Sequence, residues 1–455
     1  PADIWTIDGS LNTLSDRPGM DSQKTNSYGL KVFHSFDGFE LQSYTSSTDT
    51  NVIFSYDADW GNADSHFPYV YDYFSETLRD RKSFNQEFRA VSDSADFQKN
   101  IFFEWVIGAN YLELKESNLK KDDGLYGDPS DPYGPYASAS ASSSKYKSSN
   151  FSVFGNLDYL LSASLKFSIG LRWEDWEADY SDSLQESFNP TDKMSGGKIS
   201  LIKNMINDTN IYASLAKGYK QGGFNLGLGL DANATNKNLA YDPEFLTNYE
   251  LGINTKLLDS KITFNGVLFY SDREDQQVLI STQTDPSDPN TFSFLTQNAA
   301  EGVNHGLEIN MDMDINQSLS AFVNLGILKT EIKNWQSRQD LEGRAQAHAP
   351  ERSYALGLNW APTSHTYLAI DFTGKSSFYY SDSHNNKSKS YVLTNLNLGY
   401  VKNNWNYELW ARNIFDEYYS VRGFYFGNEA PNFIDTLYER HGDPRHIGVS
   451  IRYDF

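Results

Sequence analysis

The chain has no cysteine among its 455 residues. Disulfide bonds and thiolate metal sites are therefore excluded. It also has no stretch that approaches the ~18 consecutive apolar residues of a membrane-spanning helix. No secretory signal precedes Pro1, which favours a processed or truncated N-terminus.

Positive charge is scarce as well. The 38 Lys and Arg residues against 60 Asp and Glu give a formal net charge of −22 at pH 7, and this argues against nucleic acid as a partner. By contrast, the chain has 30 tyrosines and 29 phenylalanines, although its mean hydropathy is −0.58. An aromatic-rich chain that is polar on average fits a transmembrane β-barrel, because each strand shows only half of its residues to lipid.

Apolar and polar residues alternate in many segments. Every second side chain is apolar in residues 447–455 (IGVSIRYDF), 165–173 (LKFSIGLRW) and 307–315 (LEINMDMDI). The pattern predicts β-strands with one apolar and one polar face. Similar segments lie at 262–270, 319–327, 393–400 and 405–411.

The polar faces of these predicted strands carry charge. Glu308, Asp312 and Asp314 share one face of a single strand. Charged side chains would be costly inside the dry core of a soluble β-sandwich, whereas a water-filled lumen accepts them. The sequence therefore predicts an all-β fold, namely a transmembrane antiparallel β-barrel.

The connections between predicted strands alternate in length. Short turns fall at 36–38, 162–164, 207–208, 258–260, 316–317, 362–364 and 402–404, and long polar loops at 57–82, 115–149, 178–194, 219–245, 274–300, 331–349, 376–388 and 424–442. Short periplasmic turns and long extracellular loops are typical of outer-membrane barrels. The low-complexity segment 136–149 (YASASASSSKYKSS) is predicted to be a mobile loop.

Counting back from Phe455 gives about 17 strands of membrane-spanning length, the first of them near Tyr28. Bacterial single-chain barrels usually have an even number of strands. Two interpretations remain open at this point. Either residues 2–8 belong to an eighteenth strand, or the N-terminal part of a larger barrel lies outside this chain.

Four segments, in chain order, resemble strands of TonB-dependent outer-membrane receptors of the iron-complex type. They are residues 211–225 (IYASLAKGYKQGGFN), 241–257 (YDPEFLTNYELGINTKL), 298–310 (NAAEGVNHGLEIN) and 413–419 (NIFDEYY). Residues 86–92 (QEFRAVS) are a milder match. Together the matches cover most of residues 80–455.

The resemblance implies a barrel of about 22 strands, of which residues 1–455 supply about the last 17 or 18, with the family's N-terminal plug and first strands absent from this chain. It also implies a receptor of the bacterial outer membrane. Such a receptor captures a scarce substrate, foremost a ferric siderophore or similar iron chelate, and imports it to the periplasm. The implied partners are this chelate, outer-membrane lipid and lipopolysaccharide, the barrel assembly machinery, and the TonB complex acting through the plug.

Other functions remain open from the residues alone. Haem, cobalamin or an oligosaccharide would also be compatible ligands. A passive general or substrate-specific porin is the main alternative, and a structural or adhesive surface barrel is a third. Enzymatic catalysis has no support, since the sequence shows no nucleophile elbow, P-loop or dinucleotide-binding fingerprint.

Two loops carry candidate ligand-binding residues. Aromatic side chains beside cationic and amide groups suit an anionic or aromatic chelate. The candidates are Tyr219, Lys220, Gln221 and Phe224 in loop 219–245, and Phe424, Tyr425, Phe426 and Arg440 in loop 424–442. The alternative is that these residues form the strand-to-loop exit, pack the loops, or belong to the aromatic belt.

Acidic clusters suggest a structural calcium ion as the one candidate cofactor. Asp57, Asp59 and Asp64, with His66 nearby, provide hard oxygen ligands. Asp128 and Asp131 form a second such group. The spacing is not that of an EF-hand, and solvated Asp residues are common in turns.

Further aromatic residues are predicted to lie at the two membrane interfaces. These are Trp105, Tyr111, Tyr159, Trp173, Tyr270, Trp360, Tyr367, Tyr400, Trp405 and Tyr453. Tyr453 and the terminal Phe455 are also predicted to act as an assembly signal, as the terminal aromatic residue does in the family that the chain resembles.

Overall fold

The computed structural model describes residues 5–6, 14–94, 102–183, 185–206, 208–225, 240–283, 292–335, 338–427, 432 and 434–455. None of these residues forms a helix long and apolar enough to cross a membrane. A 3-10 turn lies at Gln339–Leu341.

Strands dominate the described residues. They are β1 (Trp5–Thr6), β2 (Met20–Phe36), β3 (Phe39–Asp57), β4 (Val70–Ser92), β5 (Phe103–Gly127), β6 (Tyr136–Ser162), β7 (Leu165–Asp182), β8 (Ser187–Phe188), β9 (Thr191–Asn204), β10 (Asn210–Lys220), β11 (Gly223–Phe224), β12 (Ala240–Tyr241), β13 (Glu244–Leu257), β14 (Ile262–Gln283), β15 (Phe292–Asn316), β16 (Leu319–Asn334), β17 (Arg352–Trp360), β18 (Thr366–Lys375), β19 (Tyr391–Lys402), β20 (Trp405–Arg412), β21 (Ser420–Phe426), β22 (Thr436–His441) and β23 (His446–Tyr453).

The long strands form one antiparallel barrel wall. From β2 to β20 each wall strand pairs with the next wall strand along the chain, and β23 completes the series by pairing with β20. Among the described residues, seventeen long strands form this wall, and the two-residue β8 pairs with the end of β7. The predicted all-β antiparallel barrel is confirmed.

The predicted short turns are confirmed at one end of the wall. Between β2 and β3, for example, the chain reverses within two residues, and Gly38 has a φ of +86°. A side chain at that φ would be strained, so glycine suits the turn. The rings of Phe36 and Phe39 stack across it at 4.8 Å.

At the opposite end the strands run further than the sequence predicts. Residues 115–149 were predicted to be a long loop, but β5 continues to Gly127 and β6 starts at Tyr136. The low-complexity residues 136–149 are paired with β5 residue by residue, from Tyr126↔Tyr136 to Glu113↔Ser149. The prediction of a loop there was wrong. Residues 136–141 are exposed on both faces, and Ser and Ala supply most of the segment, so no apolar alternation marks the strand.

Residues 2–8 were one candidate for an eighteenth strand of the wall, and the structure describes two of them, Trp5 and Thr6. Trp5 and Thr6 pair with Arg440 and Glu439 of β22, and β22 pairs with β21 in a separate three-stranded sheet. These two residues therefore do not add an eighteenth strand to the wall.

The two faces of the wall differ in chemistry. On β7, Leu171 and Trp173 point outward and are 65% and 38% exposed, whereas Trp176 and Tyr180 of the inner face are buried. Beyond Trp173 the outward face continues with Asp175 and Glu177. This change from apolar to charged residues marks the upper limit of the lipid-facing band.

Most of the predicted interface aromatic residues are exposed on the wall. These are Tyr111, Trp173, Tyr270, Trp360, Tyr400, Trp405 and Tyr453. Near the C-terminus, the Tyr453 ring contacts Trp405 at 4.8 Å and Phe455 at 5.0 Å. Their role in assembly stays a prediction.

Apolar clusters lie at the loop end of the barrel. One cluster consists of Val278, Ile332, Trp335 and Leu341, with Ile280 packed against it. The other consists of Trp176, Ala178 and Met194, with Tyr146, Tyr219 and Phe224 packed against it. Both clusters tie connecting segments to the strands and so position the surfaces described next.

Candidate functional site

Segments from four distant parts of the chain converge on a cavity of about 340 Å³ at the loop end. We call it the loop pocket. Its lining comes from β14 (276–279), from the two connections on either side of β17 and β18 (347–348 and 380–384), and from β21 (422–425). Its chemistry-bearing residues are Gln276, Gln277, His348, Tyr380, Asp382, His384, Arg422, Phe424 and Tyr425.

Aromatic packing holds the β21–β22 hairpin over this cavity. The Trp60 ring lies 5.9 Å from Phe424, 5.3 Å from Phe426 and 5.6 Å from Tyr438. Tyr438 is buried. Phe424 and Phe426, both predicted ligand-binding residues, thus fix the hairpin to the connection between β3 and β4.

Tyr380 forms the second attachment of the hairpin. Its side chain is buried, and its hydroxyl donates a hydrogen bond to a carboxylate oxygen of Glu439 on β22. Burial and the nearby Glu439 carboxylate both raise the pKa of Tyr380. A Cβ at Gly423 would lie 2.4 Å from the Tyr380 ring, so only glycine allows this close approach.

Arg344 organises the loop that contributes 380–384. Its guanidinium donates to the carbonyl oxygens of His384 at 3.0 Å and Ser381 at 3.1 Å. It also pairs with the Asp382 carboxylate at 2.7 Å, and both side chains are nearly buried, at 8% and 12% exposure. No local sequence pattern marks Arg344, because its Asp382 partner lies 38 residues away.

The polar groups that face the loop pocket suit an anionic ligand with aromatic or hydroxyl groups. The Arg422 guanidinium lies over the Phe424 ring at 4.7 Å, and Tyr425 and His384 approach each other at 5.8 Å. Burial lowers the pKa of His384, so its imidazole is neutral near neutral pH. Its Nδ1 accepts a hydrogen bond from Asn386 N at 3.2 Å, so in the neutral ring Nε2 carries the proton and acts as a donor.

The predicted residues of loop 219–245 lie elsewhere, against the inner wall. The Tyr219 hydroxyl donates to Glu174 Oε2 at 3.1 Å, and Arg172 pairs with the same oxygen at 2.8 Å. Asn150 Nδ2 donates to Glu174 Oε1 at 2.8 Å and to Gln221 Oε1 at 3.4 Å. Tyr219 and Gln221 therefore belong to a polar network that holds the outer end of β10.

Phe224 and Lys220 have different environments. The Phe224 ring packs against Tyr180 at 4.9 Å, Tyr146 at 5.7 Å and Phe188 at 6.0 Å. Lys220, opposite Glu244 on β13, is exposed. Residues 226–239 of the predicted loop lie outside the described residues. The contacts favour the packing interpretation for Tyr219, Gln221 and Phe224.

The four ligand-binding residues predicted in loop 424–442 do not all lie at one site. Phe424 and Tyr425 line the loop pocket, Phe426 packs on Trp60, and Arg440 lies in register with Trp5. The structure adds His348, His384 and Arg422 to the site. Arg422 lies two residues before the predicted segment, whereas the two histidines come from other loops that showed no metal-type spacing.

The candidate calcium ligands engage other groups. Asp57 accepts hydrogen bonds from Ser15 Oγ at 2.7 Å and Asp16 N at 3.1 Å. Asp59 accepts from Gly61 N at 2.9 Å and contacts His66 Nε2 at 3.2 Å. Asp64 is exposed, and no group of three or more acidic or histidine side chains in the described part of the chain is arranged to hold a metal ion. Calcium binding at these residues stays a prediction.

Asp128 and Asp131, the second acidic group, accept hydrogen bonds from neighbouring residues of their own turn. Asp128 Oδ1 accepts from Ser130 N and Ser130 Oγ, both at 2.7 Å, and Asp131 Oδ1 accepts from Tyr133 N at 2.9 Å. Contacts of this kind are typical of Asp residues in turns.

Comparison with known proteins identifies relatives of the fold. A family model described as "TonB dependent receptor-like, beta-barrel" matches residues 3–414. The solved ferric yersiniabactin uptake receptor FyuA from Yersinia pestis is 17% identical with a TM-score of 0.73, covering 95% of this chain and 61% of that chain. The siderophore receptor PiuA from Acinetobacter baumannii is 16% identical with a TM-score of 0.72, covering 99% of this chain and 69% of that chain.

A curated relative, the pesticin receptor of Yersinia pestis, is 22% identical over 267 residues, which are 57% of this chain and 36% of the relative. The match therefore spans about a third of the length of that protein. At these identities the solved structures show similarity of fold alone.

Proposed function

Because the chain belongs to the TonB-dependent receptor-like β-barrel family, we propose that it acts as an outer-membrane receptor. It captures a scarce metal chelate, most simply a ferric siderophore, and imports it to the periplasm. The relatives named above include a ferric yersiniabactin uptake receptor and a siderophore receptor, which supports a substrate of this class.

The observation that carries the proposal is the composition of the loop pocket. A cation (Arg422), two aromatic residues (Phe424 and Tyr425) and a neutral imidazole (His384) line one cavity of about 340 Å³. Ferric chelates of this class present anionic oxygens and, in many cases, aromatic rings. The cation attracts the anionic oxygens, and the rings stack against planar groups.

The remaining parts of the proposal concern location and partners. The protein resides in the bacterial outer membrane, where the charged outer ends of its strands extend beyond the lipid. The barrel assembly machinery inserts it, and the TonB complex drives import through a plug domain. No catalytic step forms part of the proposal.

Binding of a ferric chelate to the full-length protein tests the proposal. A panel of ferric catecholate, hydroxamate and carboxylate chelates is titrated while tryptophan fluorescence is recorded. In the double variant Arg422→Gln/Tyr425→Ala we expect affinity for the preferred chelate to fall roughly 30-fold, the equivalent of about 2 kcal/mol for the loss of a charged and an aromatic contact with the chelate. Tyr133→Ala is the control, because Tyr133 is 85% exposed and lies outside the loop pocket.

Two outcomes would contradict the proposal. If no chelate binds, or if the double variant binds as the wild type does, the loop pocket is not the capture site. Unsaturable diffusion of small solutes into proteoliposomes without added energy would favour the passive porin instead.

A further inference from the structure

One strand of the wall has polar residues where its neighbour has apolar ones. Ser43, Thr45 and Ser47 follow one another on a single face of β3, and Gln86 of β4 is in register with Thr45. We call these four residues the polar patch. On the other side of β3, the residues in register with the three hydroxyl residues are the exposed Val32, Leu30 and Tyr28 of β2.

The polar patch lies on the outward face of the wall. Residues directly opposite each other on paired strands share a face, and one line of such residues runs through Trp173, Val153, Ala109, Phe88 and Ser43. Because Trp173 points outward, Ser43 points outward as well. The two-residue period of a strand then places Thr45 and Ser47 on the same face.

The polar patch also lies within the lipid-facing band. On β7 the band ends at Trp173, eight residues after the strand starts at Leu165. On β3 the same eight residues lead from Phe39 to Ser47, and the next outward residue is the charged Asp49. Polar groups that face hydrocarbon cost free energy, and in membrane proteins they commonly mark a contact or a function.

Hydrogen bonds within the polar patch use only part of its capacity. Thr45 Oγ1 donates to Gln86 Oε1 at 2.6 Å, and Gln86 Nε2 donates to Ser43 Oγ at 3.1 Å. A hydroxyl group has one donor and two acceptor positions. In these two bonds Ser43 acts as an acceptor and Thr45 as a donor, so each keeps a position of the opposite kind. The polar patch therefore offers donors and acceptors together, and such a set can pair with a second copy of itself.

Two exposed rings stand beside the polar patch. Phe84 of β4 is in register with Ser47, and Phe88 is in register with Ser43. The two phenylalanines are 40% and 53% exposed. The rings project further from the sheet than the serines do, so β4 forms a ridge next to the lower surface of β3.

A two-fold axis along the membrane normal makes this surface complementary to itself. Two copies in the same membrane orientation then face each other with β3 of each against β4 of the other. The rings of Phe84 and Phe88 in one copy lie over the serines of the second copy. Gln86 of each copy faces Thr45 of the other at the same height.

The charges just above the lipid-facing band obey the same symmetry. Asp49 of β3 is in register with Lys82 of β4, their charged groups are 3.5 Å apart, and the side chains are 46% and 68% exposed. The two-fold axis brings Asp49 of each copy opposite Lys82 of the other. Ridge, amide and charge thus all match under one rotation, which favours a second copy over lipid or an unrelated barrel as the occupant of this face.

We propose that the polar patch is a dimer interface, at which a second copy of this chain binds in the same membrane through β3 and β4. The inference rests on the membrane location within the proposed function and goes beyond it by assigning a partner. The interface lies on the outer side of the wall, away from the loop pocket, so dimer formation and chelate capture are separable.

Cysteine cross-linking in the membrane tests the contact between copies. Residues 1–455 contain no cysteine, so introduced thiols report on chosen positions. Full-length protein is co-expressed in two differently tagged forms, Ser47→Cys and Phe84→Cys, and the membranes are treated with a mild oxidant. We expect a disulfide-linked dimer that carries both tags. The matched control combines Val323→Cys with Leu356→Cys, which are in register on β16 and β17, and should link only as often as random collisions allow.

Substitution of the polar groups measures their contribution to the dimer. Thr45→Val/Gln86→Leu keeps the side chains similar in size and suits lipid better, so the barrel should still fold. Energy transfer between labelled copies in lipid vesicles should show a dimer dissociation constant raised roughly tenfold, because symmetry removes each hydrogen bond at two places.

Reversal of the charges tests the symmetry itself. Asp49→Lys and Lys82→Asp should each weaken self-association, because like charges then face each other across the interface. The combined variant Asp49→Lys/Lys82→Asp should restore association, because each new lysine faces a new aspartate of the second copy.

Several results would overturn the inference. They are a wild type that stays monomeric in vesicles, equal cross-linking in the control pair, and an unchanged dissociation constant in Thr45→Val/Gln86→Leu. Cross-linking of the polar patch to a different protein alone would also overturn it, since the proposed occupant is a second copy. Chelate affinity, recorded on the same samples, should not change in any of these variants, so failure of the proposed function is seen separately.

Discussion

At the scale of single residues, the buried ion pair of Arg344 and Asp382 decides whether one wall of the loop pocket is ordered. The pair is nearly inaccessible to solvent, and the same guanidinium holds two backbone carbonyl groups of residues 381–384. Removing one partner of a buried pair leaves the other charge uncompensated, which costs more than the pair itself contributes.

We therefore expect Arg344→Gln to destabilise the connection 376–388 by about 3 kcal/mol while leaving the barrel folded. Hydrogen exchange of the amides in this connection measures the effect. Arg338→Gln is the control, since Arg338 pairs with an Asp340 side chain that is 59% exposed, and such pairs contribute at most about 1 kcal/mol. Equal protection of these amides from exchange in the two variants would show that Arg344 does not hold the connection 376–388.

At the scale of elements, the β21–β22 hairpin is attached to the barrel mainly through rings. Trp60 contacts Phe424, Phe426 and Tyr438, and Tyr380 bonds to Glu439. Aromatic pairs of this geometry contribute about 1 kcal/mol each beyond the area that they bury. The loop pocket therefore depends on a residue, Trp60, that does not line it.

Trp60→Ala is expected to undock the hairpin, with a loss of about 3 kcal/mol from its three ring contacts. Limited proteolysis measures this change, because residues 413–427 and 434–445 should become cleavable while the wall strands stay protected. In Trp360→Ala, the control on the outward wall, cleavage at the hairpin should match the wild type. A hairpin that stays protected without Trp60 would contradict this account of its docking.

The elements also show what the sequence predicts well. Segments such as 165–173 and 307–315 alternate strictly because lipid and water face opposite sides of the wall, and both are strands. In 136–141 both faces are exposed, and the Ser and Ala residues of 136–149 form no apolar face, so the sequence does not mark this part of β6 as a strand. The predicted aromatic residues Phe424 and Tyr425 line the loop pocket. His384 also lines it, and Arg344 holds the loop of His384, but both act through tertiary contacts that no local pattern encodes.

At the scale of the whole molecule, the loop pocket exists only while connections from distant parts of the chain are held over one wall. Its histidines make this assembly sensitive to pH. Burial lowers the pKa of His384, and the neighbouring Arg344 cation adds to the effect. Burial and Arg422 lower the pKa of His348 as well, although much of its side chain is open to solvent.

The direction of the pH effect follows from these shifts. A histidine in an undocked loop titrates near its ordinary pKa of about 6.5, whereas docking favours the neutral imidazole. Protons therefore bind the undocked state preferentially, so docking is fully stable above about pH 6.5 and weakens as the pH falls toward the lowered pKa.

Protection factors for the amides of 376–388 should decrease between about pH 7.5 and about pH 5.5, and His348→Asn/His384→Asn should remove most of the decrease. A decrease of the same size in that variant would assign the pH response to other groups, whereas His365→Asn, in a short turn at the far end of the barrel, should behave as the wild type does.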